Sequence, residues 1–198
     1  MAALPEQTQH MTESKYLAFE RASEIKHEYI DGHVYAMSGA SESHNIITSN
    51  VIAALHSQLR GRSCKTYPSH MKVRTPSTRS YVYPDITVVC AEAQFDDDQR
   101  DLLLNPTAIF EVLSSNTERF DRGTKFQRYR EIDSLQQYIL IAQDRTHIEC
   151  FTRQDNGLWL FSEAAGMDAS LELPAIACTL PLADVYEQVT FAAEADQS

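Results

Sequence analysis

The sequence predicts an α/β (α+β) fold, a mixed β-sheet flanked by helices with an antiparallel meander at its C-terminal end. Three observations carry this. Residues 108–141 run AIFEVLSSNTERFDRGTKFQRYREIDSLQQYILI: an apolar strand, a polar loop, an amphipathic helix and a second apolar strand. That alternation is the pattern of strands covered by helices. Ile47, Val51, Leu55 and Leu59 recur every four residues, as one stripe of a long helix does. The last third of the chain alternates strand-sized runs with turn residues, among them Asn156-Gly157. With 198 residues and 43% hydrophobic content, one domain with a sizeable core is expected.

Taken in order, residues 1–11 read as a flexible N-terminal tail, with Met11-Thr12 a candidate natural start. Thr12 is a good N-cap for a helix from Glu13 to about Ala22. Two apolar-rich runs about Asp31-Gly32 predict a hairpin over 28–37. Ser41 or Ser43 caps a helix of roughly 43–60, with Gly61 placed to end it. Short strands are expected near 64–67 and 70–74, then one strong strand, YVYPDITVVCA, over 81–91. Pro84 suits a strand entrance, because it has no N–H to give to a central ladder.

Residues 92–106 read as a polar loop, with Asp96, Asp97 and Asp98 a solvated run. A strand over 107–114 leads through Ser115-Asn116-Thr117 to a helix of roughly 121–132 and a strand over 136–142. Strands near 146–153, 158–163 and 170–173 follow, then a link from Pro174 to Pro181 and a short helix over 182–189. The domain therefore spans 12–190, with 191–198 a flexible tail.

Composition narrows the classes of function. No apolar run approaches the ~20 residues of a membrane span, and no basic-then-apolar signal segment opens the chain, so a cytoplasmic protein is expected. Cys64, Cys90, Cys150 and Cys178 are far apart and none forms a CxxC pair, which predicts reduced thiols rather than a zinc site or disulfide framework. The net charge of −11 argues against a phosphate-rich partner, but the charge is segregated. Between His44 and Pro84 there is no acid, and Arg60, Arg62, Lys65, Lys72, Arg74 and Arg79 fall there. Arg119, Arg122, Lys125, Arg128 and Arg130 form a second basic group, whereas the chain after Arg153 has eight acids and no base. One basic face on an acidic body is compatible with this, as is a solvated surface of uneven charge.

The residue out of place is Glu111, inside the run Ile109-Phe110-Glu111-Val112-Leu113. Strand residues alternate faces, so Glu111 shares one with Ile109 and Leu113 and needs a partner, a proton or a metal ion. Asp85 opens the preceding strand and Lys125 lies on the following helix. Two carboxylates on neighbouring strands can share a hard cation such as Mg²⁺, with positions left for water and a phosphate oxygen. A lysine beside them can orient the attacking water or stabilise the negative transition state. A buried Glu111–Lys125 pair without metal and a turn role for Asp85 are the structural alternatives. No triad signature accompanies Ser114 or Ser115, so a serine hydrolase is a poor reading.

At these residues the chain resembles the Uma restriction-endonuclease family, part of the PD-(D/E)xK nuclease superfamily. The resemblance lies in HEYIDGHVYAMSGASESHN at 27–45, YPDITVVC at 83–90, IFEVLSSNTERFDRGTKFQRYR at 109–130 and LQQYILIAQD at 135–144. It implies a restriction-endonuclease-like core, Asp85 and Glu111 as metal-binding acids, Lys125 as the superfamily lysine, Mg²⁺ (or Mn²⁺) as cofactor, DNA as substrate and a homodimer. The superfamily lysine usually follows the glutamate by two residues, where this chain has Leu113, so Lys125 looks like a migrated lysine. Glu28, His44 and Asp121 are the supporting residues: an outer carboxylate, a phosphate or water contact, and a partner that orients Lys125. Ordinary surface, capping and i,i+4 roles are the alternatives for these three, and a core role is the first expectation for Tyr129. A nucleic-acid-binding module without turnover and a regulatory homodimer with a residual pocket are the rival functions.

Overall fold

The computed structural model describes residues 7–8, 10–76, 80–115 and 117–191. Arg79, Asn116 and residues 1–6, 9 and 192–198 of the expected tails lie outside the described residues. Near the N-terminus, however, β1 (Gln7–Thr8) pairs with Tyr35 and Val34 of β3 (His33–Ala36). Met11 donates its amide to the Gly32 carbonyl and accepts from the Tyr29 hydroxyl, so the chain is held to the body before residue 12.

After α1 (Glu13–Ala22), β2 (His27–Ile30) and β3 form the expected hairpin. Asp31 and Gly32 both have positive φ, 51° and 84°, the left-handed pair that a tight two-residue hairpin turn requires. In α2 (Glu42–Leu59), the Ser41 hydroxyl accepts the His44 amide at 3.1 Å, and Ile47, Val51, Leu55 and Leu59 form the buried stripe. β4 (Lys65–Pro68) and β5 (Lys72–Arg74) follow.

The single strand expected over 81–91 is two. β6 (Tyr81–Val82) joins one sheet and β7 (Ile86–Val89) another. Tyr83-Pro84-Asp85 is the crossing, since proline restricts the residue before it and interrupts a ladder. The loop expected at 92–106 contains β8 (Leu102–Leu103), parallel to β5. β9 (Ala108–Leu113) precedes a composite helix, α3, made of Glu118–Phe120, a π-helical turn Asp121–Lys125, and Phe126–Tyr129. β10 (Gln137–Ala142), β11 (His147–Arg153) and β12 (Trp159–Ala165) complete the large unit. β13 (Ser170–Leu173) pairs with β14 (Cys178–Pro181), which replaces the irregular link expected at 174–181. α4 (Leu182–Val185) ends sooner than expected.

Two six-stranded sheets result, ordered β1-β3-β2-β6-β5-β8 and β12-β11-β10-β9-β7-β4. Both are mixed. The second has the parallel pair β9–β10 at its centre and is covered on both faces, so every residue of these two strands is buried. One face packs Phe110, Val112 and Ile139 against the α2 stripe and Leu180, Leu182 and Val185. The other packs Ile109, Leu113 and Tyr138 against Tyr129 of α3 and Val73, Val82 and Leu103 of the first sheet. Glu111 lies on this second face, between two layers of apolar side chains.

The cysteines depart from expectation. Cys64 and Cys90 form a disulfide, and only Cys150 and Cys178 are free, both buried. The register Lys65↔Val89 sets the two cysteines opposite each other across β4 and β7, a proximity that their separation of 26 residues does not reveal.

Candidate active site

The site is built where the two sheets meet. β7 and β9 are antiparallel with Ile86 opposite Phe110, so the next pair outward is Asp85 and Glu111. Side chains directly opposite share a face; Glu111 meets α3 through Lys125 and Tyr129, whereas Asp85 meets α2 through His44. Asp85 is fixed at both oxygens: Oδ2 accepts the Val112 amide at 2.8 Å, and Oδ1 accepts from His44 Nε2 at 3.0 Å. Capping by Ser41 holds His44 in the first turn of α2 and aims its ring at Asp85.

Glu111 is 3% exposed. Its Oε1 accepts from Lys125 Nζ at 3.1 Å and from the Tyr129 hydroxyl at 2.9 Å. Lys125, itself 8% exposed, also lies 3.2 Å from Asp121 Oδ1 and 3.4 Å from Glu28 Oε1. Glu28 Oε1 in turn accepts the Tyr83 amide at 3.2 Å, which ties it to the crossing segment beside Asp85. Asp121 Oδ1 is close to the ammonium but outside hydrogen-bonding geometry, so among the described residues this buried oxygen has a charge partner and no hydrogen bond.

Asp121 and Lys125 are four residues apart, so one face of the helix carries both, and both are buried at the ends of the π-helical turn. Tyr138 of β10 pins the turn by donating its hydroxyl to the Asp121 carbonyl at 3.0 Å. Leu113, two residues after Glu111, is buried in the apolar cluster with Tyr129 and Tyr138.

The electrostatics follow from this crowding. Burial drives the Glu111 carboxyl well above the ordinary range; Lys125 opposes that rise, while Asp121, Asp85 and Glu28 add to it. For Lys125, burial favours the neutral amine, but Glu111, Glu28 and Asp121 together hold the ammonium well above its usual value. Lys125 is therefore a persistent cation. It can orient water or neutralise developing negative charge, but not accept a proton near neutral pH.

Among the described residues no three His, Cys, Asp or Glu side chains form a ready metal cage. A pair of carboxylates on one face with an under-served neighbouring carboxylate oxygen nevertheless matches a hard, oxygen-seeking cation that keeps several waters. A cation bound here would draw on Asp85 and Glu111.

All six sequence-derived site residues, Asp85, Glu111, Lys125, Glu28, His44 and Asp121, thus converge. Tyr129 is buried as expected for a core residue, yet its hydroxyl is part of the site. Its position four residues after Lys125 was the available signal. Several of the clustered bases are held in ion pairs. Lys72 pairs with Asp101, Arg74 with Asp96, Arg128 with Asp31, and Arg122 with Glu118 and Glu149. Arg60, Arg62 and Lys65 lie at the far end of α2 and β4, because Lys65 pairs with Val89 and Pro68 with Ile86 beside Asp85. Acids distant in sequence took up the charge that the linear pattern left unbalanced.

Comparison with known proteins agrees with this architecture. A crystal structure from Anabaena variabilis, described as a putative nuclease belonging to DUF820, matches with a TM-score of 0.70 at 17% identity, over 85% of this chain and 93% of that one. The likeness shows a shared fold. Two proteins of Synechocystis are similar in sequence. "Uncharacterized protein slr1290" is 32% identical over 181 residues, 91% of this chain and 94% of its own length. "Uncharacterized protein sll1609" is 34% identical over 165 residues, 83% and 93% of the two lengths. The Uma2 family model, described as "Putative restriction endonuclease", matches residues 13–183, from the start of α1 into α4 and across every element that builds the site. The chain belongs to the Uma2 family of restriction-endonuclease-like nucleases.

Proposed function

We propose that the protein is a Mg²⁺-dependent endonuclease that hydrolyses phosphodiester bonds in DNA. The observation that carries this reading is the Lys125 ammonium 3.1 Å from Glu111, on the strand face that also bears Asp85. A lysine from the helix would then stand in for the strand lysine of the superfamily pattern.

Asp85 and Glu111 would hold the metal, with Mn²⁺ a possible substitute for Mg²⁺. The bound ion would lower the pKa of a coordinated water and offset charge on the phosphate. The chain's own residues do the rest. Lys125 donates to the attacking water or to a phosphoryl oxygen and stays charged throughout. Asp121 and Glu28 hold the ammonium in place, and Glu28 is close enough to add an outer carboxylate. His44 fixes the Asp85 carboxylate at the N-terminal end of α2 and faces the phosphate side. A homodimer would present two such sites to the two strands of a duplex.

The second reading, a nucleic-acid-binding or regulatory homodimer with little turnover, is favoured by one feature. Glu111 Oε1 already takes hydrogen bonds from Lys125 and Tyr129, so the acid is satisfied without a metal. Plasmid cleavage in Mg²⁺ and Mn²⁺ by the wild type and by Asp85→Ala, Glu111→Ala and Lys125→Ala separates the two. Cleavage lost in each variant supports the endonuclease. DNA binding without cleavage in all four proteins supports the second reading. Light scattering of the purified protein tests the dimer.

A further inference from the structure

Lys72, Arg74, Arg122 and Arg128 of the basic clusters are held in ion pairs, and a further cation beside the site comes from outside those clusters. It is Lys26, immediately before β2. Its Nζ donates to the Ser69 carbonyl at 2.9 Å, with the Ser69 hydroxyl at 3.5 Å, both neutral oxygens. The ammonium also lies 5.5 Å from the centre of the Tyr83 ring, two residues before Asp85. Ser69 directly follows Pro68, which pairs with Ile86, so Ser69 and Asp85 stand at the same end of β4 and β7. Three separate segments, 26, 68–69 and 83–85, thus bring a half-buried ammonium to the rim of the carboxylate pair. Lys125 occupies the buried side.

We infer that Lys26 is a phosphate-binding residue of this site, taking a non-bridging oxygen of the nucleic-acid backbone at the Asp85 end of the pocket. The inference rests on the nucleic-acid reading above and extends it to a residue outside the acid–lysine core. Charge favours it. The site carries Glu28, Asp85, Glu111 and Asp121, and a polyanion needs a compensating cation to approach. Burial lowers the Lys26 ammonium from the ordinary lysine value while Asp85 and Glu20 pull it back up. A phosphate oxygen would satisfy that charge better than a neutral carbonyl, because charge-assisted hydrogen bonds are the stronger class.

The test is fluorescence anisotropy of a labelled DNA duplex titrated with wild type, Lys26→Gln and Lys26→Arg at several NaCl concentrations. Ca²⁺ replaces Mg²⁺ so that the carboxylates are balanced by a hard divalent ion. Loss of one phosphate contact reduces the slope of log affinity against log salt by about 0.9. That reduction is expected for Lys26→Gln, with the slope restored in Lys26→Arg. The glutamine amide can still donate to Ser69, so the fold is retained, and thermal melting checks this. A wild-type slope in Lys26→Gln would overturn the inference, even if affinity fell alongside the melting temperature, since that pattern marks a structural role. Failure of the wild type to bind DNA would overturn it too. Plasmid cleavage in Mg²⁺, measured in parallel, tells the two failures apart. Cleavage with an unchanged slope removes Lys26 alone, whereas a reduced slope without cleavage keeps Lys26 and removes the endonuclease.

Discussion

Replacing Lys125 by Met tests the charge balance on which the site depends. Methionine retains an unbranched stem of similar length but removes the only cation within 3.4 Å of Glu28, Glu111 and Asp121 among the described residues. Breaking a buried ion pair by deleting one partner typically costs about 3–5 kcal/mol, because the remaining charge is left uncompensated. For a domain of this size each kcal/mol moves the melting temperature by about 2–4 °C, so a fall of about 6–20 °C is expected.

The deficit should depend on pH. Burial already raises Glu111, and removing Lys125 takes away the positive charge that opposes the rise. A carboxyl whose folded pKa is raised binds a proton more readily in the folded state. Its stabilising contribution is full below the unfolded value and lost as pH rises through the folded one. The variant should therefore lie closer to wild type at pH 5 than at pH 8. Divalent metal should recover part of the loss at pH 8 by supplying the missing charge. Calorimetry at both pH values, with EDTA and with Mg²⁺, measures all three effects. A variant as stable as wild type at pH 8 in EDTA would refute the buried-cluster argument.

Tyr129→Phe keeps the buried ring but removes the hydroxyl that Glu111 accepts, and leaving a buried acceptor short of a donor should cost about 1–3 kcal/mol, read by denaturant titration. Asp101 is held well below the ordinary carboxylate range, first by its hydrogen bond to Arg21 and then by Lys72. A depressed pKa gives stability that is present above the unfolded value and lost as pH falls toward the folded one. Asp101→Asn should thus lower the melting temperature at pH 7 and differ less from wild type near pH 2. Cys64→Ser removes the tie between β4 and β7, for which chain entropy suggests a loss of about 3 kcal/mol. Cleavage at permissive temperature should be unaffected, because Lys65 and Val89 mark the end of that strand pair away from Asp85.

Much of the fold was legible because local chemistry forced it. Asp31-Gly32 adopts the one turn that joins two short strands, Ser41 caps α2, and an apolar run with an acid inside it marks β9. The boundaries that failed depend on partners distant in sequence. Pro84 divides a run that reads as one strand, because two sheets, not one, receive its halves. Cys178–Pro181 becomes a strand because β13 is there to pair with it.

The site divides in the same way. The sequence by itself determined that Glu111 must be buried, that Asp85 opens the neighbouring strand, and that Leu113 cannot serve as the lysine. These follow from alternation and residue type, which are local properties. Only the tertiary structure decided that Lys125 reaches Glu111. That depends on how the helix is seated over β9 and β10, where Tyr138 donates to the Asp121 carbonyl. It also decided which charges stay available, since a lysine or arginine is neutralised by whichever acid the fold brings near. That is why Lys72, Arg74, Arg122 and Arg128 of the linear basic clusters are held in ion pairs while Lys26, isolated in sequence, keeps neutral oxygen partners beside the site.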